Sequence, residues 1–146
     1  MSVAFTENNK RLELDVLGYE FPDGEGDDLG ANWLNVGVVY DDGSLSFRQT
    51  DSCLLATELA ELTEALDAIL EGRETGMIQT FLEPYLSFAV TGIGELYAVQ
   101  VRFVYDTDGP WKDVGICQGM DRRELAELNE GLKALYRRFP RRDAGE

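Results

Sequence analysis

The sequence predicts an α+β domain: a mostly antiparallel sheet of about six strands carrying two helices, in the order β-β-β-α-β-β-β-α. Three observations carry this. Six short runs alternate apolar and polar residues, the period of a half-buried strand. The runs are separated by tight turn signals, which join antiparallel neighbours. Two longer segments switch to intervals of three and four, the period of an amphipathic helix.

The first strand expected is Arg11–Leu17, where Leu12, Leu14 and Val16 alternate with Glu13 and Asp15. A loop follows by composition, Phe21-Pro22-Asp23-Gly24-Glu25-Gly26-Asp27-Asp28. Trp33–Tyr40 and Ser44–Gln49 form a hairpin around Asp41-Asp42-Gly43, with Gly43 free to take positive φ. Thr50-Asp51-Ser52 opens the first helix, with Asp51 as its N-cap. Leu55, Leu59, Leu62, Leu66 and Ile69 make its apolar stripe, and Gly72 ends it. Leu86, Phe88 and Val90 mark the next strand, Gly92-Ile93-Gly94-Glu95 a turn, and Tyr97 to Tyr105 a long strand. Val114 and Ile116 indicate the last strand. In the final helix Asp121 and Glu124 stand in capping-box spacing, Met120 and Leu125 at staple positions. Leu125, Leu128, Leu132, Leu135 and Phe139 form its stripe, and Pro140 ends it.

The 146 residues fit one domain, 1–146, with 141–146 expected as a frayed tail. A chain of this length buries roughly 68–70% of the surface its unfolded form exposes. No apolar run reaches membrane-spanning length, and the first residues lack the basic and apolar segments of a signal peptide, so a cytoplasmic location is expected. In that compartment Cys53 and Cys117, on different elements, are expected free and buried.

Charge is the strongest global feature. Thirteen basic residues against 28 acidic ones leave a net charge of −15. Residues 1–120 hold 6 basic and 22 acidic side chains; residues 121–146 hold 7 and 6. Such a surface repels nucleic acid and anionic membranes, so neither is expected as a partner. It attracts a basic protein and speeds the encounter. Acidic surfaces also serve solubility alone.

The sequence holds no histidine, which removes the commonest general base and metal ligand. The cysteines lack metal or redox spacing. In the acidic loop, Asp23, Glu25 and Asp27 match the first acids of a calcium loop. The pattern then fails at Asp28, where glycine is needed, and at Leu34, where glutamate is needed. Gly92-Ile93-Gly94 lacks the following helix of a dinucleotide site. No cofactor or metal is therefore expected. With 28 acids, carboxylate pairs say little, although a small carboxylate-dependent enzyme acting on a sugar-like ligand stays open as an alternative. So does a structural subunit of a homo-oligomer, such as a homodimer.

Four segments in order resemble the WapI-like family of small bacterial immunity proteins. They are Asn32-Trp33-Leu34-Asn35-Val36; Asp51-Ser52-Cys53-Leu54-Leu55 with Glu58-Leu59; Phe81-Leu82-Glu83-Pro84-Tyr85-Leu86-Ser87-Phe88; and Leu135-Tyr136-Arg137-Arg138-Phe139-Pro140. The likeness runs from about Leu14 to Pro140. It implies a non-enzymatic protein that binds and blocks a secreted toxin of its own cell, in the namesake case a tRNA-cleaving nuclease. An acidic inhibitor suits a nuclease, whose site must be basic. The expected function is thus an acidic, non-catalytic protein-binding module with a basic partner. Its expected contact residues are Asp23, Glu25, Asp27 and Asp28 of the loop, with Trp33 and Trp111 as aromatic anchors.

Overall fold

A computed structural model describes residues 2–24 and 28–143, with Asp28 described by its backbone alone. The elements are β1 (Val3–Glu7), β2 (Lys10–Tyr19), α1 (Asp28–Asn32), β3 (Trp33–Asp41), β4 (Ser46–Leu55), α2 (Ala56–Leu70), β5 (Gly76–Thr80), β6 (Leu86–Ile93), β7 (Leu96–Asp106), β8 (Lys112–Met120) and α3 (Arg122–Arg138). The α+β class holds, with every strand pair antiparallel. The strand count of about six is corrected to eight. They form two sheets ordered β1-β2-β3-β4 and β5-β6-β7-β8. Each sheet is a meander followed by a helix, so each expected βββα half gains a strand.

The two added strands have physical signatures of different strength. β1 alternates inward Val3 and Phe5 with Ala4 and Thr6, and meets β2 through Asn8 and Asn9. Asn8 takes φ 52, which asparagine tolerates better than most residues. β5 is short and lies at an edge, and only Met77 and Gln79 turn partly inward, so alternation is faint.

The start of the first long helix is also corrected. Asp51 does not cap it, because β4 continues to Leu55 and α2 begins at Ala56. The capping acid is Glu58, whose Oε1 accepts the Leu55 N–H at 3.0 Å. Hydrophobic pairing of Leu54 and Leu55 with Leu34 and Trp33 keeps this stretch in the sheet beyond the expected break. The expected box at α3 is present: Asp121 Oδ1 accepts the Glu124 N–H at 2.8 Å, and Glu124 Oε1 accepts the Asp121 N–H at 3.2 Å.

One core serves both sheets and both long helices. Leu55, Leu59, Leu62, Leu66 and Ile69 of the first stripe are buried, as are Leu125, Leu128, Leu132 and Leu135 of the second. Phe5 of β1 meets Phe88 of β6 edge to face at 5.9 Å, and Phe47 of β4 lies 6.2 Å from Phe103 of β7. The inner faces of the two sheets therefore look at each other. Gly131 brings α3 against β1, since a Cβ there would stand 2.8 Å from Val3 Cγ1. Asp67 of α2 ties the helices together, accepting from Asn129 Nδ2 and Lys133 Nζ at 2.8 Å each.

The sheets also meet edge to edge, through side chains. Glu7 Oε1 accepts the Cys117 N–H at 2.9 Å, and the Thr6 N–H donates to Gln118 Oε1 at 2.8 Å. Side chains of β1 and β8 thus satisfy backbone groups that would otherwise be orphans.

Candidate functional site

The strand register sorts the expected contact residues into two groups at opposite ends of the sheets. Asn9, in the β1–β2 turn, donates to Asp42 O in the β3–β4 turn at 2.7 Å. Lys10, at the start of β2, reaches Gly115 O near the start of β8 at 3.4 Å. The β1–β2, β3–β4 and β7–β8 turns therefore share one end, and Trp111 lies there. The connection between β2 and β3, with the acidic loop and Trp33, lies at the other. Ten-residue β2 separates them by about 30 Å.

At the loop end, Asp23 is exposed, and Glu25 and Asp27 lie outside the described residues. Asp28 opens the short helix α1, and its side chain is likewise outside. Trp33 is half-buried as the first residue of β3, and its carbonyl accepts the Glu20 N–H at 2.8 Å. The loop is anchored by Arg142, which sequence reasoning passed over. Arg142 Nε donates to Ala31 O at 2.6 Å and Nη1 to Pro22 O at 2.8 Å, while Nη2 donates to Phe21 O. Its backbone exchanges two bonds of 2.9 Å with the buried Asn32 side chain. A lone arginine near a chain end carries no periodic signal; only the fold brings it beneath this loop.

The turn end carries aromatic rings and acids together. Trp111 is 57% exposed, and its ring lies 5.7 Å from that of Tyr85. Tyr85 is held in turn, since its carbonyl accepts the Val104 N–H at 2.7 Å. A second run of rings, Tyr40, Phe47 and Tyr105, stacks at 5.5 and 5.0 Å. The neighbouring turns present Asp41, Asp42, Asp106 and Asp108. Asp42 accepts from the Leu45 and Ser44 backbone at 2.7 and 2.9 Å and from the Tyr40 hydroxyl at 2.9 Å. Those bonds, the Leu45 one first, hold its carboxyl below the usual range, so it stays ionised. Burial, then the bond to Asp42, pushes the Tyr40 hydroxyl up to about 12. Asp41 accepts the Gly43 N–H at 2.9 Å, and Asp106 the Asp108 N–H at 2.9 Å. Turn geometry thus fixes Asp41, Asp42 and Asp106 as acceptors rather than leaving them free to swing.

A shallow trough of about 450 Å³ opens on the outer face of the second sheet. Its floor is made of small side chains such as Ser87, Ala89 and Gly115. The two carboxylates lining it are committed: Glu7 to Cys117, and Asp113 to the Arg102 guanidinium. Among the described residues no group of three or more His, Cys, Asp or Glu side chains is placed to hold a metal ion. Among the described residues no helix is long and apolar enough to cross a membrane. Cys53 and Cys117 are both free, the first buried and the second half-buried.

What the geometry offers at the turn end is an exposed tryptophan backed by a tyrosine, beside aspartates fixed by their turns. Residues 4–140 match the model of the Immunity protein WapI-like family. A search of curated proteins finds no match. The match spans nearly the whole chain, and the chain belongs to the WapI-like immunity protein family.

Proposed function

We propose that this member of the WapI-like family is an immunity protein that binds and neutralises a cognate secreted toxin domain of the nuclease type, acting in the cytoplasm as a non-catalytic module. A nuclease binds a polyanion and so presents a basic site. A chain of net charge −15 complements such a site and speeds the encounter. Family membership supports a toxin as the class of partner.

The observation that carries the choice of face is Trp111, exposed yet braced by Tyr85. A braced tryptophan loses little side-chain freedom on binding, and tryptophan and tyrosine dominate interface energetics. The surrounding aspartates supply charge to meet a basic partner. The acidic loop from Asp23 to Asp28, with Trp33, is the competing face. It is too far from Trp111 for both to sit at the centre of one interface of standard size.

The test looks first beside this gene for a large secreted protein, whose C-terminal domain would be the candidate toxin. Expressed alone, that domain should arrest growth, and co-expression of this chain should restore it. Purified, the two should form a complex. Trp111→Ala should weaken it by about 2 kcal/mol or more, chiefly through faster dissociation. Failure of the intact chain to bind or to protect would refute the immunity reading. Full binding by Trp111→Ala would refute only the choice of face.

A further inference from the structure

Four strands lie at sheet edges: β1, β4, β5 and β8. An edge strand presents unpaired backbone groups, and folded proteins defend such edges with charge, proline, bulges or cover. Three of the four are defended. β1 and β8 cover one another through Glu7 and Gln118. β4 carries Arg48 and Asp51, and its pairing with β3 shifts register between Leu34 and Val36.

β5 has no charge, proline or bulge. Its sequence is Gly-Met-Ile-Gln-Thr, without charge or proline. It pairs with β6 in unbroken register from Gly76–Thr91 to Thr80–Ser87. At its centre Ile78 is 82% exposed, a large apolar side chain held out on the outer face. By the same register Ile93 and Leu96 also point to that face, and both are exposed. Of the charged groups lining the trough there, Arg102 and Asp113 neutralise each other, and Glu7 lies at the far edge, bonded to the Cys117 N–H.

We propose that β5 is the seam of a homodimer, in which two copies pair antiparallel, edge to edge, about a two-fold axis at Ile78. The two sheets would then join as one of eight strands. The occupant is a second copy because of charge. Two chains of net charge −15 repel wherever their acidic surfaces meet, but β5 meets its own copy with no charged side chain on either strand. A basic toxin gains nothing from a seam without acids. The strand is also self-complementary: Ile78 would face Ile78 across the axis, and Gly76 would face Thr80. Five residues make a short seam, so the dimer forms reversibly with concentration. Glu74 and Glu83 flank the strand, so added salt should strengthen association by screening them. A toxin contact driven by opposite charges would show the reverse dependence. This proposal does not rest on the immunity reading.

Sedimentation velocity over a hundred-fold range of protein concentration, at low and high salt, tests it. The expected result is a rise from one-chain to two-chain mass with concentration, larger at high salt. Ile78→Lys should weaken association by about tenfold or more, and Thr80→Lys should act the same way. Leu96→Lys, on the outer face but away from the edge, should leave association unchanged. All three positions are exposed, so unfolding temperatures should match the parent. A monomer at every concentration overturns the proposal. So does a dimer that survives Ile78→Lys and Thr80→Lys, or one that Leu96→Lys alone disrupts.

Discussion

The guanidinium of Arg142 lies over the ring of Tyr19, 3.6 Å from its centroid. Tyr19 in turn donates its hydroxyl to Pro140 O at 2.5 Å. The segment from Pro140 to Arg142 is thereby locked onto the end of β2 and onto the start of the acidic loop. Gly24 beside the guanidinium takes φ 71, the left-handed region that favours glycine.

Arg142→Ala should therefore loosen the loop and cost about 1.5–3 kcal/mol, the range for hydrogen bonds to a charged group. Hydrogen exchange should quicken at Gly24, whose N–H donates to Phe21 O. Arg142→Lys should restore little, because an ammonium cannot serve three carbonyls in a plane and stack on a ring at once. Unchanged exchange in both variants would mean the loop holds itself.

Glu58 is buried and accepts two backbone N–H groups, Leu55 through Oε1 and Leu82 through Oε2 at 2.8 Å. Glu58→Ala leaves the buried Leu55 N–H unpaired and should cost about 1–3 kcal/mol by urea unfolding, with a smaller loss at the part-buried Leu82 N–H, which water can reach. Glu58→Gln keeps one acceptor but turns an amide donor toward the other N–H. It should fall between the parent and the alanine variant. Equal stability of Glu58→Gln and the parent would show that one of the two bonds contributes nothing.

Along the α3 stripe, burial grades the cost of truncation. Leu125 is fully buried and Leu128 is 8% exposed. Both alanine variants should lose about 2–5 kcal/mol, with Leu125→Ala at the upper end. A loss under about 1 kcal/mol at Leu128 would mean the site collapses around the missing side chain without leaving a cavity.

Alkaline pH should destabilise the fold through two buried groups. Burial pushes the Cys53 thiol from 9.0 up to about 12, and the Tyr40 hydroxyl moves from 10.0 to about 12. Above about pH 9 the unfolded chain releases these protons while the folded chain keeps them. The folded state then binds more protons, so stability falls as pH rises through this window and is complete below it. Tyr40→Phe should flatten the fall that begins near pH 10, leaving the Cys53 part. Urea midpoints that stay level from pH 9 to 11 would contradict this. At pH 8 a thiol reagent should modify Cys117 and spare Cys53 until the chain unfolds.

Neutralising Asp23, Glu25, Asp27 and Asp28 together separates the two candidate faces. With Trp111 at the centre of the interface, the loop's described start at Asp23 lies well beyond a Debye length of about 10 Å at 0.1 M salt. Association with the toxin domain should then keep the parental rate across a salt series. A slower association with a flatter salt dependence would move the contact to the loop and make Trp33 the anchor.

The α+β class, the antiparallel pairing, both helix stripes and the α3 capping box were legible in the sequence, because each is written in local periodicity. Leu12, Leu14 and Val16 declare a strand without help from the rest of the chain, and Asp121 with Glu124 declares a helix start. So too were the net charge and the absence of histidine, which are sums over residues. Other features were decided only by packing. Asp51 looks like a cap, yet Leu54 and Leu55 pair with Leu34 and Trp33 and carry the strand past it. β5 has too little inward surface to show a period. Arg142 gains its role from groups 110 and more positions away. The candidate face has the same origin. Trp111, Tyr85 and Asp42 are scattered in sequence and meet at one end only because the hairpin turns stack there. Long-range register decides which turns share an end, and nothing in a local run of residues records it.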